Sequence, residues 1–439
     1  MTGRYKAYPE YKSTNEVWLG DVPSHWRALQ INRLTVIKRG ASPRPIDDPK
    51  YFDEEGEYAW VRIADVTASD TFLQNTTQRL SSLGASLSVK LEPNALFLSI
   101  AGTVGKPCIN KIKACIHDGF VYFPEYKENV KFLFYIFAAG EAYKGLGKFG
   151  TQLNLNTETV GGIKIGIPCI EEQNNIVNFL DHETAKIDTL ITKQEKLIEL
   201  LKEKRQAVVS HAVTKGLNPD APMKDSGVEW LGEVPEHWDL KRFKHLFKIR
   251  KRIAGQTGYD ILSITQKGIK VKDITSGEGQ LSMDYSKYQL VYQGDYAMNH
   301  MDLLTGFVDI SSHNGVTSPD YRVFTLEHKL SAPSYYLRLL QMGYLDKLFY
   351  PLGQGAAHIG RWRLPTEAFN EFIAPCPPYE EQKEISDYID KNHRRIDSLL
   401  EKAQGAIILM KERKTALISA AVTGKIDVRN WQEQTKQQG

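Results

Sequence analysis

EEQNNIVNFLDHETAKIDTLITKQEKLIELLKEKRQAVVSHAVTK, residues 171–215, returns in altered form as EEQKEISDYIDKNHRRIDSLLEKAQGAIILMKERKTALISAAVTGK at 380–425. A shift of 209 positions lays Glu172 on Glu381, Gln173 on Gln382, Asp181 on Asp390, Asp188 on Asp397 and Thr214 on Thr423. Neither stretch contains proline, and Gly405 is the only glycine before their C-terminal ends. Both therefore predict unbroken helix, because proline costs about 3 kcal/mol and glycine about 1 kcal/mol in a helix interior. Apolar residues recur at Ile176, Leu180, Ile187, Leu190, Leu197, Leu201 and Val208. The second copy repeats them at Ile385, Ile389, Ile396, Leu399, Ala406, Met410 and Leu417. A period near 3.5 over about five heptads is the seam of a coiled coil. Two matched copies predict that helices 171–213 and 379–424 pack on each other as rods about 60 Å long.

The doubling continues outward. WLGDVPSHW, Trp18 to Trp26, reappears as WLGEVPEHW, Trp230 to Trp238, 212 positions on. A chain of 439 residues with both ends of a unit repeated reads as two halves, each a globular part followed by a long helix. The expected layout is a polar arm 1–17, a globular part 18–170, the first helix, and a Gly/Pro/Asp-rich linker 214–229. A second globular part 230–378, the second helix and a polar tail 425–439 complete it. β-rich runs such as EYAWVRIADV and NALFLSIAGTVGKPCI precede a helical VKFLFYIFAAGEAYKGL. In the second part YDILSITQKGIKV and GDYAMNHMDLLTGFVDI precede SAPSYYLRLLQMGYLDKLF. The fold class that follows is α+β: two globular α/β domains separated by a long antiparallel two-helix coiled coil, with an internal pseudo-two-fold repeat.

Composition narrows the function classes. With 41% hydrophobic and 25% charged residues the chain has a globular balance. It contains no 18-residue apolar run and its first residues lack a signal-peptide core, which predicts a cytoplasmic protein and no membrane partner. The formal net charge of +3 is too small to diagnose nucleic-acid binding, yet basic residues can cluster locally. Cys108, Cys115, Cys169 and Cys376 fit neither a disulfide framework nor a zinc site. Cys169 and Cys376, at equivalent places before the two helices, are expected to pack as small apolar residues.

Three fragments imitate catalytic motifs. Gly102-Thr103-Val104-Gly105-Lys106 lacks the first glycine of a phosphate loop, and Pro107 stands where a magnesium-binding hydroxyl belongs. Pro377-Pro378-Tyr379 has the shape of an adenine-methyltransferase motif, but Cys376 lacks the oxygen that would accept from the target amine. Asp320 with Glu327 and Lys329 is too closely spaced for a metal-dependent nuclease. No active site of the chain's own, no metal site and no bound cofactor are expected.

Basic and amide residues suggest DNA contacts instead. KRFKHLFKIRKR, Lys241 to Arg252, carries seven Lys or Arg, of which Lys248, Arg250, Lys251 and Arg252 are candidates. Lys38, Arg39 and Arg44 are the weaker counterpart in the first half. Such cations neutralise phosphates, while Arg, Gln, Asn and His can read base edges. Further candidates are Thr103, Lys106, Lys148, Gln152 and Asn154 in the first half. In the second half they are Gln266, Asn299, His300, Gln354, His358, Arg361 and Arg363. Leu153, Trp362 and Leu364 are expected to anchor the loops that carry them.

Taken together, two WLG[DE]VPxHW openings, two proline-containing junctions leading into Glu-Glu-Gln, and two long helices after dissimilar globular parts resemble the specificity subunit of a type I restriction-modification system. The resemblance covers essentially the whole chain; its one departure is the first junction, Ile167-Pro168-Cys169-Ile170, with a proline fewer than the second. It implies two target-recognition domains that each read half of a split, asymmetric double-stranded DNA sequence with a fixed spacer. It also implies that methylation and cleavage belong to partners: modification subunits, two of them, using S-adenosylmethionine, and restriction subunits using ATP and Mg2+. An adaptor of a methylation-only complex is the alternative within the family. A single-chain nuclease or methyltransferase is disfavoured by the three imperfect motifs.

Overall fold

A computed structural model describes residues 5–143, 146, 155–272, 285–356 and 361–432. The chain divides into two compact units, residues 1–194 with 405–439, and residues 195–404. The first long helix runs Ile170–Lys215 and the second Tyr379–Val422. Each ends against a glycine in the left-handed region, Gly216 (φ 77°) and Gly424 (φ 70°), where a side chain would be strained.

Each unit contains a segment of both long helices. In the first, Lys414 donates to Asp188 at 2.7 Å; in the second, Arg205 lies 3.4 Å from Asp397. The 209-residue shift converts one of these pairs into the other.

The buried stripe follows a strict alternation of four and three. On the first helix Leu180, Thr184, Ile187, Ile191, Gln194, Ile198, Leu201, Arg205, Val208 and Ala212 are all buried or half-buried. The second helix carries the same stripe 209 positions on, through Ile389, His393, Ile396, Leu400, Ala403, Ile407, Met410, Lys414, Leu417 and Ala421. The expected seam is therefore corrected at four places: Ala406 lies off the stripe beside Ile407, and Leu190, Leu197 and Leu399 are 50%, 41% and 40% exposed. Each has an apolar neighbour, Ile407, Ile191, Ile198 or Leu400, one position on, so periodicity alone left the phase open. Ile176 and Ile385 lie off the stripe, in the cores of the globular parts.

In the first unit a sheet has the strand order Lys38–Arg39, Phe120–Tyr122, Leu96–Ser99, Pro107–Asn110, Phe72–Leu73. Its first four strands are antiparallel and the last pairs in parallel. A four-stranded sheet, Gln78–Leu80, Tyr58–Val61, Ala114–Ile116 and Val89–Leu91, lies in the same globular part. In the second unit the order is Phe247–Arg250, Arg322–Leu326, Tyr296–Met298, Val308–Ile310, antiparallel throughout. One helix from each globular part, Val130–Ala138 and Pro333–Leu345, is built into the same apolar core as the start of a long helix.

The sequence around the units is more ordered than its polarity suggests. The arm 1–17 includes the strand Tyr11–Ser13, paired with Asp21–Pro23, and Tyr8 and Thr14 are buried. The linker 214–229 does the same through Met223–Asp225 and Glu233–Pro235. The tail after 425 buries Ile426 and Val428, and the Asp427 N–H donates to the Lys6 carbonyl. Cys108, Cys115 and Cys376 are buried, but Cys169 is exposed. The residue one turn on, Gln173, takes the Cys169 carbonyl at 3.0 Å, so Cys169 stands at the solvent-facing start of the helix. No helix among the described residues is long and apolar enough to cross a membrane.

Candidate nucleic-acid interface

In the first unit, candidates from distant stretches meet at one end of the five-stranded sheet. Antiparallel pairing brings the exit of Lys38–Arg39, the entry of Phe120–Tyr122 and the exit of Leu96–Ser99 to the same rim. The Ile100 N–H donates to the Gly119 carbonyl at 2.8 Å, joining two rim loops. Asp118 organises the arginines: Arg39 donates to its carbonyl, and Arg44 to its carboxylate at 3.0 Å. Arg44 stays 74% exposed, so its remaining donors face water. Lys106 donates to the Thr67 carbonyl at 2.8 Å, and Thr103 shares a hydrogen bond with the Thr67 hydroxyl. Lys38 is exposed and has no ion-pair partner among the described residues. His117 lies beneath, against Phe120 and Trp60, with its Nδ1 accepting from the Gly119 N–H. Burial holds its pKa below the ordinary value, and the Asp118 charge only partly offsets this.

The matching rim of the second unit gathers the exit of Phe247–Arg250, the entry of Arg322–Leu326 and the exit of Tyr296–Met298. The loop after Tyr296–Met298 is fastened to the hairpin Gln354–Ala356 with Arg361–Arg363. The Leu303 N–H donates to the Trp362 carbonyl at 3.1 Å, and the Leu364 N–H to the His300 carbonyl at 2.9 Å. Trp362 is held by its indole N–H on the Tyr350 carbonyl, and Leu364 is fully buried; both anchor the hairpin as expected. Gln354 stands opposite Arg363, and both are exposed. Gln266 reaches the Thr305 carbonyl at 3.5 Å, and the Asn299 side chain accepts from the Met301 N–H.

Not every candidate is free for a ligand. Arg250 is bonded to Thr325 and paired with Glu327, and Arg252 pairs with the buried Asp295 while lying over the Tyr292 ring. His300 has a buried Nδ1 and a pKa lowered to about 3 by burial, with Arg322 and Arg363 adding to the effect. It is half-buried and neutral, so it offers no charge to a phosphate. Lys248 and Lys251 are exposed, with no ion-pair partner among the described residues. Lys148, Gln152, Asn154 and His358, like Leu153, lie outside the described residues. For Arg361 the strand is described and the side chain is not.

The imitation motifs have structural uses. Lys106 is occupied by Thr67, Tyr379 opens the second helix with Lys383 over its ring, and Glu327 is the partner of Arg250. Among the described residues, no group of three or more His, Cys, Asp or Glu is placed to hold a metal ion.

The repeated motifs explain one another instead. The Glu172 carboxylate, 4% exposed, accepts from Tyr8 at 2.6 Å, from the Trp26 indole at 3.0 Å and pairs with His25 at 2.9 Å. Burial and then Glu172 push the Tyr8 hydroxyl pKa far above its ordinary value. In the second unit Glu381 pairs with His237 at 2.8 Å. Trp and His of the first WLGxVPxHW thus both bond the acid of Glu-Glu-Gln, whereas in the second, among the described residues, only the His does. The two motifs are one structural lock, for which their joint recurrence was the available signal.

Residues 23–200 match the family described as the type I restriction modification DNA specificity domain. The chain is 23% identical over 294 residues to the type I restriction enzyme EcoBI specificity subunit of Escherichia coli. That alignment covers 63% of this chain, and the chain spans 61% of that relative's length. It is 17% identical to the EcoDI specificity subunit of the same organism, over 93% of this chain and 90% of the relative. A solved chain from a study of assembly and conformational transition of the type I R-M system shares the fold. Its TM-score is 0.65 at 13% identity, covering 92% of this chain and 99% of that one. The HsdS subunit from Thermoanaerobacter tengcongensis follows with TM-score 0.52 at 13% identity, covering 92% and 98%. The resemblance read from the sequence motifs is borne out.

Proposed function

We propose that this chain is the non-catalytic DNA-reading subunit of a type I restriction-modification complex, working in the cytoplasm. The observation that carries the reading is the pair of matching sheet rims, where cations and amides from separate stretches of each globular part come together. Lysines without an ion-pair partner among the described residues, Lys38 in one unit and Lys248 and Lys251 in the other, supply phosphate contacts, which set affinity and its salt dependence. Arg44 and Arg363, with Gln354 and Asn299 beside the latter, are suited to base edges in the major groove. Because the rims are built from different residues, the two half-sites differ and the target is asymmetric and bipartite.

The long helices act as the spacer. Their stripe positions and ion pairs correspond under one constant shift, which supports a pseudo-two-fold arrangement of two readers in one chain. Two modification subunits dock on this frame and bring S-adenosylmethionine and the methyl-transfer centre; restriction subunits bring ATP, Mg2+ and cleavage. A methyltransferase acting on adenine extrudes the base from the duplex, so the reader must place the target without covering it. Purified alone, the chain binds DNA weakly and neither methylates nor cleaves it. With its modification subunit it directs adenine methylation to one split sequence. Robust methylation or cleavage by the chain alone contradicts this reading.

A further inference from the structure

Each globular part is joined to its long helix by the same two side chains. In the first unit the fully buried Gln173 accepts from the Asn129 N–H at 3.0 Å and donates to the Pro168 carbonyl at 3.0 Å and to Glu128 at 2.9 Å. In the second the fully buried Gln382 accepts from the Ala332 N–H at 2.7 Å and donates to the Pro377 carbonyl at 2.8 Å and, at 3.4 Å, to the Leu330 carbonyl. Asn129 and Ala332 are the N-cap residues of Val130–Ala138 and Pro333–Leu345. One amide thus ties the junction before the long helix to the first turn of the globular part's own helix.

Eight residues on, about 12 Å along the axis, a carboxylate grips that same helix again. Asp181 accepts from the Tyr135 hydroxyl at 2.6 Å and pairs with Lys131; Asp390 pairs with Arg338 at 2.6 Å. One attachment leaves a packed helix free to pivot; two, separated along its length, fix its direction. The partners of the carboxylates differ between the units while the attachment points do not, so geometry is what the two sites share.

We propose that Gln173 with Asp181, and Gln382 with Asp390, are positioning residues that set the angle at which each globular part leaves its long helix. Resting on the DNA-reading function above, this angle determines where along the duplex each half-site is met. The pair therefore governs the spacer between half-sites and leaves the identity of the bases to the rim.

The test uses the full chain with spin labels at Lys270→Cys and Glu401→Cys, both exposed positions of the second unit, in a Cys169→Ser background. Arg338→Asp should broaden the distance distribution, and combining it with Asp390→Arg should narrow it again. An unchanged distribution in the single variant, or no recovery in the exchanged pair, overturns the proposal. In the assembled complex Gln382→Met, which keeps the side-chain length but loses its three bonds, should add neighbouring spacer lengths to the methylated sites without altering either half-site. Altered half-site bases, or an unchanged spacer, count against it. A wild-type complex that methylates no split site overturns the function instead, and the spin-label result then stands on its own.

Discussion

Glu172 and Glu381 occupy the same place in the Glu-Glu-Gln repeat, yet removing them should have very different effects. Glu172→Ala leaves the Trp26 indole N–H and the Tyr8 hydroxyl, on side chains 0% and 4% exposed, without an acceptor. Each buried donor left unpaired costs about 1–3 kcal/mol, so the two together give roughly 2–6 kcal/mol. His25 is 46% exposed at its side chain and can turn to water, so it adds little. Glu381 has only His237, itself 50% exposed, as an ion-pair partner among the described residues, and such surface pairs are worth at most about 1 kcal/mol. The Trp238 indole already lacks a hydrogen-bond partner among the described residues, so removing Glu381 orphans nothing further there. Hydrogen–deuterium exchange resolves the two places within one molecule. Peptides covering residues 5–30 should exchange at least about thirty-fold faster in Glu172→Ala. Peptides covering 222–242 should change only a few-fold in Glu381→Ala. Equal acceleration at both places, or none in Glu172→Ala, would refute the assignment of Glu172 as a buried lock for the arm.

The rim makes a second prediction. Replacing Lys248 and Lys251 by alanine should weaken DNA binding of the assembled complex on all sequences alike. It should also lower the slope of log K against log salt by about 0.9 for each phosphate that is no longer neutralised. Arg252→Ala should instead destabilise the second unit by on the order of 3 kcal/mol, because Asp295 stays buried without its counter-charge; urea titration separates the two cases. A third concerns pH. His300 and His393 have pKa values lowered to about 3 and about 4, in both cases chiefly by burial, against an ordinary 6.5 in the unfolded chain. The unfolded state therefore binds more protons between those limits, and the second unit loses stability as pH falls from about 6.5 towards 4. Its urea midpoint should drop between pH 7.5 and pH 5, and His393→Leu should flatten that dependence.

The parts of this fold legible in sequence are those governed by local periodicity and by the repeat. The long helices were readable because proline-free, charged runs with apolar residues at heptad spacing have no other stable arrangement. Their seam was not fully readable. At Leu190-Ile191, Leu197-Ile198 and Leu399-Leu400 two apolar neighbours compete, and only the facing helix decides between them. The arm and tail read as polar extensions because their order comes from distant partners, such as Tyr8 on Glu172, 164 residues away. The convergence of Arg39, Arg44, Thr103 and Lys106 on one rim was likewise beyond the sequence, since it depends on which strands pair. Residue type suggested the candidates; packing sorted them. Arg252 and His300 have the right chemistry for DNA, but one serves a buried carboxylate and the other is desolvated.

The ruler role of the long helices is tested most directly by adding four residues near the middle of Ile170–Lys215 and mapping methylated adenines in cells that carry the variant complex. Four residues add about 6 Å of helix, the rise of one to two base pairs, and a coiled coil absorbs such an insertion by local unwinding. Both half-sites should be recovered unchanged with a longer spacer between them. Methylation at the original spacing, with the variant protein folded and assembled, would contradict the role.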